Sequence, residues 1–299
     1  MGNCVNKPKE SVTDSDPCSI AAPLTETCNK QRQQHQQNSL VCSINDRSSK
    51  LHSLFKDTWQ ENFLAPVHDQ LNRGNARVLD LRCQTGEWVL DVSDKYPLAK
   101  IWGIDTITSN FFPSQKPLNC NFLHLDILNG LPFADNTFDL VHTRCLIFTL
   151  TEIEWEQKVI KELSRVLKPG TGWLSLLEIN LLYTNEGPDT AKLTEYTKLF
   201  LKEKKMNPDI ASLQANLLRA SNKFTNIQVH ERFPTSEHAN NISAGEFALT
   251  MYDLGKELSN FIGLNDAEYQ SLVESSVKEF NIYKTSVRQT RVIARRILN

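Results

Sequence analysis

The 299-residue chain is 40% hydrophobic and 23% charged, with a formal net charge of −2 at pH 7. Its length suits one large α/β domain with a tail, and its charge gives no electrostatic case for a nucleic-acid partner. Its seven cysteines are scattered without zinc-finger spacing and no apolar run approaches the roughly 20 residues of a membrane span, so we expect reduced intracellular thiols, no metal and no transmembrane segment.

The first residues, MGNCVNKPK, carry a candidate lipidation signal. Gly2 is placed for myristoylation and Cys4 for palmitoylation, and two lysines follow that would meet anionic lipid. Position 6 is Asn where Ser or Thr is preferred, so an unmodified start is the alternative. We expect a cytoplasmic protein, with peripheral membrane attachment if the chain is acylated; a nuclear location stays open.

The first 45 residues are rich in Gln, Asn, Ser, Asp and Pro. They hold too little apolar surface to offset the entropy of ordering, so we expect this tail to be disordered. The folded domain is expected over 46–299. Apolar residues recur at helical spacing from Leu51 to Leu64 and predict one or two helices, within 46–72, that pack on the sheet or over a cofactor mouth.

A strand, a loop, a helix and a second strand follow one another. Arg77–Leu81 is an apolar strand, a turn containing Gly86 follows, 87–96 has helical spacing, and a strand over 100–104 leads to Asp105. This is a βαβ unit, which binds ligands beyond the carboxyl ends of its strands. An acid about 20 residues past the glycine turn commonly accepts from ribose hydroxyls, and Asp105 stands there.

The remaining patterns alternate in the same way. The later strands are predicted at 121–125, 138–142, 173–179, 226–233 and 285–297. The later helices are predicted behind a T-x-x-E capping box at Thr151, and over 189–204, 208–220, 243–262 and 266–283. The fold class is therefore a Rossmann-like α/β sheet of seven mostly parallel strands with helices on both faces and an antiparallel last strand.

The last predicted strand carries three arginines in alternation, Arg288, Arg291 and Arg295. We expect this strand to run antiparallel beside the sixth, with one solvated face. The arginines then serve solubility and edge protection, with ligand binding as the alternative.

The turn after the first strand resembles the first motif of class I S-adenosylmethionine-dependent methyltransferases, D/E-x-G-x-G-x-G. Asp80 and Gly86 match it, whereas Arg82 and Gln84 stand where the first two glycines belong. A non-glycine residue at positive φ costs on the order of 1–2 kcal/mol, which a domain of this size tolerates. Arg82 could pair with the cofactor carboxylate or fold back onto Asp80 and block the site.

Two further stretches carry the resemblance. P-F-x-D-N-x-F-D at 132–139 and E-L-x-R-V-L-K-P-G at 162–170 are typical of the segments before the fourth and fifth strands of these enzymes. From residue 59 to the end, the chain is similar to a fungal methyltransferase-domain family whose relatives include regulators of secondary metabolism that work with velvet proteins.

The resemblance implies S-adenosyl-L-methionine as cofactor and an unidentified acceptor, either a small molecule or a protein. Asp126 would accept from the adenine amine and the Ile127 amide would meet a ring nitrogen; capping of the next turn is the alternative for Asp126. Thr143, Arg144 and Cys145 are expected at the rim of the cofactor cleft, with Arg144 among the cofactor-binding residues.

No catalytic residue is predicted, because methyl transfer is an in-line displacement that needs positioning more than covalent help. Cys83 is expected to be packed rather than nucleophilic, His142 to be structural rather than a base, and Trp88 to lie in the core. Glu178 is a candidate for the acceptor side. The alternative to an enzyme is a catalytically inactive relative that acts as a regulatory binding module. A nicotinamide dehydrogenase is disfavoured, because the glycine pair for pyrophosphate is missing.

Overall fold

The structure is a computed structural model that describes residues 47–106, 112–234 and 237–298, with only the backbone of residues 237–240. The predicted tail, including Gly2 and Cys4, lies outside the described residues. Within the described part, no helix is both long and apolar enough to cross a membrane.

Seven strands of the described chain form one sheet. They are β1 (Arg77–Leu81), β2 (Lys100–Asp105), β3 (Cys120–His124), β4 (Leu140–Arg144), β5 (Trp173–Thr184), β6 (Phe224–Arg232) and β7 (Ser286–Arg296). Their order across the sheet is β3-β2-β1-β4-β5-β7-β6. Strands β1 to β5 pair in parallel, and β7 is antiparallel to both of its neighbours. The predicted fold class is confirmed.

Helices surround the sheet. They are α1 (47–59), α2 (His68–Asn72), α3 (Glu87–Lys95), α4 (Glu152–Glu154), α5 (Ile160–Val166), α6 (Pro188–Glu203), α7 (Ile210–Ala220), α8 (Glu237–Ile262) and α9 (Asp266–Tyr283). A π turn, Trp155–Val159, joins α4 to α5. The predicted capping box is present, since the Thr151 hydroxyl accepts from the Glu154 amide and the Glu154 carboxylate accepts from the Thr151 amide.

The two faces of the sheet carry separate apolar cores. Successive strand residues point to opposite faces, so Val78 packs with Trp88 and Val92 of α3, whereas Leu79 packs with the cluster that contains Leu163 of α5. A third core joins α6, α8 and α9 to one another. These three helices form a part of the domain with its own core, separate from the two cores on the faces of the sheet.

The fifth and fourth strands depart most from their predicted bounds, and the other differences are of one or two residues at an end. The fifth strand, predicted over 173–179, continues to Thr184, because β7 keeps pairing with it after β4 has ended, with a register shift between Ile179 and Tyr183. The fourth strand begins at Leu140 and includes Thr143 and Arg144.

The prediction that the last strand exposes its arginines at an edge is wrong for Arg291. Strand β7 lies inside the sheet, and β6 takes the edge position. Arg291 is 1% exposed, and its guanidinium carbon lies 4.4 Å from the centre of the Trp59 ring. Burial, helped by two neighbouring arginines, lowers the pKa of Arg291 to about 9. Arg288, by contrast, forms a partly exposed ion pair with Glu231 at 3.1 Å.

Candidate active site

The loop after β1 is the centre of the candidate site. Its backbone is left-handed at Arg82 (φ 56°), Gln84 (φ 54°) and Gly86 (φ 97°). The Cys83 amide donates to the Ile104 carbonyl oxygen at 3.0 Å, which ties the loop to the end of β2. The chain therefore holds two bulky residues in a conformation that glycine adopts without strain, at a cost of about 1–2 kcal/mol for each.

Gly86 is required at its place for a second reason. It precedes α3 in the left-handed region, and a Cβ added to it would lie 2.5 Å from the Phe122 ring. Cys83 is fully buried in this packing, its thiol close to Gly103, which confirms the predicted packed side chain.

Asp105 braces the same loop from the end of β2. One oxygen of its carboxylate accepts from the Gln84 amide at 2.8 Å, and the side chain is 6% exposed. The loop and the acid are thus positioned together, as the βαβ pattern predicted. A role in binding ribose stays a prediction.

Asp80 is completely buried beneath the loop. Neither oxygen of its carboxylate has a hydrogen-bond partner among the described residues. Burial is the main cause that raises the pKa of Asp80 to about 8; the Arg144 guanidinium opposes the rise, whereas the Asp105 and Glu87 carboxylates add to it. The group is therefore largely uncharged at neutral pH.

The Arg82 side chain is half-buried and does not fold back onto Asp80. Within the described part of the chain it has no ion pair, and it lines a cavity together with Gln84. Its charge lowers the pKa of Glu178 and of Cys145, which places its guanidinium near the ends of β4 and β5. The blocking arrangement is not the one that the structure adopts.

Asp126 follows β3 and caps a short 3-10 turn. Its side chain accepts from the Leu128 amide at 2.9 Å, which is the capping alternative. The residue is half-buried, as is Ile127. The adenine contacts of Asp126 and Ile127 stay predictions.

Arg144 is not at the rim of the cleft, which corrects its expected position. It ends β4 and is 5% exposed, because α1 covers it. Its Nη1 lies 3.1 Å from His52 Nδ1, and its guanidinium carbon lies 5.4 Å from the Phe55 ring centre. Thr143 is also buried, whereas Cys145 lines the cavity. The predicted packing of the 46–72 helices on the sheet is observed, but the sequence pattern did not indicate that α1 would cover Arg144.

Glu178 holds the loop that follows β4. Its carboxylate accepts from the amides of Leu146 at 2.9 Å and Ile147 at 3.3 Å, and from the Gln214 side chain at 3.3 Å. Burial raises the pKa of Glu178 to about 7, although these donors and the Arg82 guanidinium oppose the rise. The predicted acceptor-side role of Glu178 is not supported by its position, since Glu178 is fully buried and is not among the residues that line the cavity.

His142 and Trp88 are structural. Both are buried, and their rings stack with centroids 4.2 Å apart. His142 Nδ1 lies 3.2 Å from the Ser175 hydroxyl, and burial holds the histidine pKa well below its usual value. A histidine so placed has no access to a reacting proton.

A cavity of about 350 Å³ opens beside the glycine-motif loop, at the carboxyl ends of β1, β4 and β5. Its volume falls in the range of small-molecule sites. Its lining residues come from α1, from the loops after β1 and β4, from β5 and from α8. The helix α8 was not predicted to contribute any particular residue, because no motif marks it.

On one side of this cavity, Arg47 forms hydrogen bonds and ion pairs with residues of α8. The Arg47 Nε donates to Glu246 at 3.2 Å, an Nη2 donates to the Thr250 hydroxyl at 3.1 Å, and Nη1 pairs with Asp253. All four side chains line the cavity. The start of α1 is thereby joined to α8.

The sheet order and the loop after β1 define a class I methyltransferase fold. Residues 78–170 match the family described as "Methyltransferase domain". The matched part contains the loop after β1, whose motif departs from the common pattern at Arg82 and Gln84.

The chain is related to fungal proteins of two kinds. It is 34% identical over 149 residues to "N-methyltransferase tcpN" of Claviceps purpurea, covering 48% of this chain and 52% of that protein. It is 32% identical over 106 residues to "Secondary metabolism regulator LAE1" of Cochliobolus heterostrophus, covering 35% and 33%. The chain thus spans between a third and about half of the length of these relatives.

Among solved structures, the chain is similar to phosphoethanolamine N-methyltransferase 2 of Haemonchus contortus in complex with S-adenosyl-L-methionine. The TM-score is 0.49 at 13% sequence identity, over 80% of this chain and 53% of that one.

Proposed function

We propose that this chain is a methyltransferase that uses S-adenosylmethionine to methylate a separate acceptor. The observation that carries the proposal is the loop after β1, which is left-handed at Arg82, Gln84 and Gly86 and is braced by Asp105. The family motif has glycine at all three of these positions, and the loop keeps a left-handed backbone at each of them although only Gly86 is a glycine. This supports a functional requirement for the shape of the loop. The family match over 78–170 and the named relatives agree with it.

The residues fit this cofactor. Asp80 has two side-chain oxygens without a partner in the described chain, and although burial keeps it largely uncharged, the ammonium group of a bound ligand would favour its ionised form. Arg82 offers a guanidinium without an ion pair in the same region, which suits the cofactor carboxylate. Asp105 would hold the ribose, and Asp126 with Ile127 the adenine. Arg144 acts at a distance, through its charge on Asp80.

S-adenosylmethionine would supply an electrophilic methyl group when bound. The protein's task is then to bind and orient both partners and to exclude water. The 350 Å³ cavity next to Arg82 and Gln84 gives room for an acceptor on the methionine side of the site. We propose that residues 46–299 form one such domain, with the helices of 46–72, 189–220 and 243–283 as acceptor elements, which the contribution of α1 and α8 to the cavity supports.

Isothermal titration with S-adenosylmethionine and S-adenosylhomocysteine tests the proposal. We expect saturable binding of both by the unmodified chain. The double variant Arg82→Gly with Gln84→Gly is the informative comparison. Loss of the Arg82 charge weakens cofactor binding if Arg82 holds the carboxylate, because each 1.4 kcal/mol changes affinity about tenfold. Asp94→Asn, an exposed change on α3, is the control.

The alternative function, a catalytically inactive regulatory binding module, predicts a different result. No binding would then occur at millimolar cofactor, and the double glycine variant would gain binding because its loop has become open. The similarity to a secondary metabolism regulator is consistent with this alternative. Absence of binding by every variant would remove the methyltransferase proposal.

We propose in addition that Gly2 is myristoylated and Cys4 palmitoylated, so that a cytoplasmic chain attaches to membrane surfaces. The residue pattern MGNC with two following lysines supports this, and two acyl chains are needed because one anchors only marginally. Mass spectrometry of protein from its native cell, with Gly2→Ala as the control, tests it. An unmodified Gly2 would contradict the proposal, and fractionation would separate cytoplasmic from nuclear protein.

A further inference from the structure

The 350 Å³ cavity is largely apolar, and its lining divides into two regions. The apolar region comes from α1, the loop after β4, β5, α8 and β7, and its side chains are Leu51, Leu54, Ile147, Phe148, Ile179, Leu181, Phe247, Leu254 and Val287. The charged region consists of four residues, Arg47, Arg82, Glu246 and Asp253.

Most of that charge is balanced inside the protein. Arg47 binds the carboxylates of both Glu246 and Asp253. Glu246 is 7% exposed, so its removal from Arg47 would leave a buried acid without a partner. A cationic acceptor such as a lysine or arginine side chain would therefore have to compete with Arg47 for either carboxylate.

The remaining cation, Arg82, is used elsewhere under the proposed function. It is assigned there to the carboxylate of the cofactor. The formal charge that then stays unbalanced in the described lining is one carboxylate, because Arg47 faces two, and Asp253, the more exposed of the two at 66%, is largely solvated. An anionic ligand would lose its hydration on entering this space and meet no free cation, and a cationic ligand would have to displace Arg47 from a carboxylate.

The Arg47 contacts also hold two walls of the cavity together. They join α1 to α8 through Glu246, Thr250 and Asp253, so a partner that needs these helices to move apart would have to break them. A small molecule of a size that suits a volume of about 350 Å³ needs no such opening.

We propose that the methyl acceptor is an uncharged, largely apolar small molecule, which enters this cavity whole and lies between β5 and α8. The inference rests on the proposed function, since it assigns Arg82 to the cofactor. It excludes basic protein side chains and nucleic acid as acceptors, both of which carry charge into the site.

Two fluorescent probes of one ring skeleton test the charge requirement. N-phenyl-1-naphthylamine is uncharged, and 1-anilinonaphthalene-8-sulfonate has the same rings with an added anion. In the presence of saturating S-adenosylhomocysteine, we expect the uncharged probe to bind one molecule per chain and the sulfonate to bind at least about tenfold more weakly. Without S-adenosylhomocysteine, the sulfonate should gain affinity, because Arg82 is then available to it.

A matched pair of variants on α8 locates the probe. Leu254 lines the cavity, whereas Leu249 on the same helix is 38% exposed and does not. Leu254→Trp should weaken the uncharged probe at least about tenfold by filling its space, and Leu249→Trp should leave it nearly unchanged. Both variants should bind S-adenosylhomocysteine in the calorimeter as the unmodified chain does, which also shows that they are folded.

The outcomes separate the two proposals. If S-adenosylhomocysteine binds but the uncharged probe does not, or if the sulfonate binds equally well beside S-adenosylhomocysteine, the acceptor class is wrong and the methyltransferase proposal stands. If Leu254→Trp and Leu249→Trp weaken binding of the uncharged probe equally, the proposed acceptor site in the cavity is wrong. If S-adenosylhomocysteine does not bind at all, the proposed function fails and the acceptor assignment fails with it.

Discussion

Asp80 combines full burial, two carboxylate oxygens without partners in the described chain, and a pKa of about 8. Its ordinary pKa is near 3.8, so the unfolded chain loses this proton at a much lower pH than the folded chain does. Between these two values the folded state binds more protons than the unfolded state. Its contribution to stability is therefore present at acidic pH and is lost as the pH rises towards 8.

Asp80→Asn removes this dependence. The asparagine amide does not ionise, so its effect on the free energy of unfolding is the same at every pH. The free energy of unfolding of the unmodified chain should therefore fall by at least about 2 kcal/mol between pH 5 and 8 relative to the variant, which is about 4–8 °C in Tm. Thermal melts of both proteins from pH 5 to 9, without cofactor, measure the difference. Asp94→Asn, on the exposed side of α3, should run parallel to the unmodified chain. A difference for Asp80→Asn that stays constant across this range would contradict the assignment.

Gln84 is a second residue with a measurable effect on stability, because its backbone conformation is strained. At φ 54° it costs about 1–2 kcal/mol, whereas glycine there costs none. Glycine also makes the unfolded chain more flexible, which offsets about 0.4–1 kcal/mol of the gain. Gln84→Gly should therefore stabilise the fold by roughly 0.5–1 kcal/mol in urea unfolding.

The control for Gln84→Gly is Arg73→Gly. Arg73 closes α2 at φ −78°, where glycine relieves no strain, adds flexibility to the unfolded state and removes an exposed ion pair with Asp69, so this change should destabilise. Loss of stability in both variants would mean that the loop after β1 is not strained at Gln84.

At the level of elements, strand β5 and the loop after β4 are coupled through Glu178. Glu178→Ala would leave the buried amides of Leu146 and Ile147 without their acceptor, at a cost of about 2–4 kcal/mol. Glu178→Gln keeps an acceptor oxygen and should cost less. Hydrogen exchange at the two amides, with Glu156→Ala on the exposed π turn as control, measures the effect. Unchanged protection in Glu178→Ala would show that the loop is held by packing alone.

Sequence patterns predicted the elements well where the cause was local. The bounds of β1 and α9 were found from the strand and helix patterns of residues 77–81 and 266–283, because apolar periodicity and caps act within a few residues. The end of β5 was missed because its last residues are held by β7, which lies about a hundred residues later in the chain. Such pairing leaves no local signal.

The site residues that sequence patterns predicted are likewise those whose positions have a local cause. The loop from Asp80 to Gly86 and the acid Asp105 were found from one continuous stretch of sequence. The inward position of Arg144 and the burial of Arg291 were not, since both depend on α1 covering the sheet beside them. A buried arginine and an exposed one have the same appearance in an alternating strand.

At the scale of the whole molecule, α1 and α8 meet at the cavity through Arg47, which is 199 residues from Glu246 in the sequence. The carboxylate of Asp253 is 66% exposed, so its pair with Arg47 contributes about 1 kcal/mol or less to global stability. The side chain of Glu246 is 9% exposed and would be left without its partner, which costs about 1–3 kcal/mol. The same contacts should also act locally, on how often the cavity opens.

Arg47→Ala tests both the global and the local effect. We expect Tm to fall by about 2–12 °C, since buried Glu246 loses its partner, and backbone amides at the start of α1 and in α8 near Thr250 should exchange several-fold faster than those elsewhere. Lys204→Ala is the matched control, because it removes an exposed ion pair between α6 and Glu257 of the same helix α8, away from the cavity lining. Its exchange near Thr250 should equal that of the unmodified chain. Equal acceleration in both variants, or none in Arg47→Ala, would show that the Arg47 contacts do not control access to the cavity.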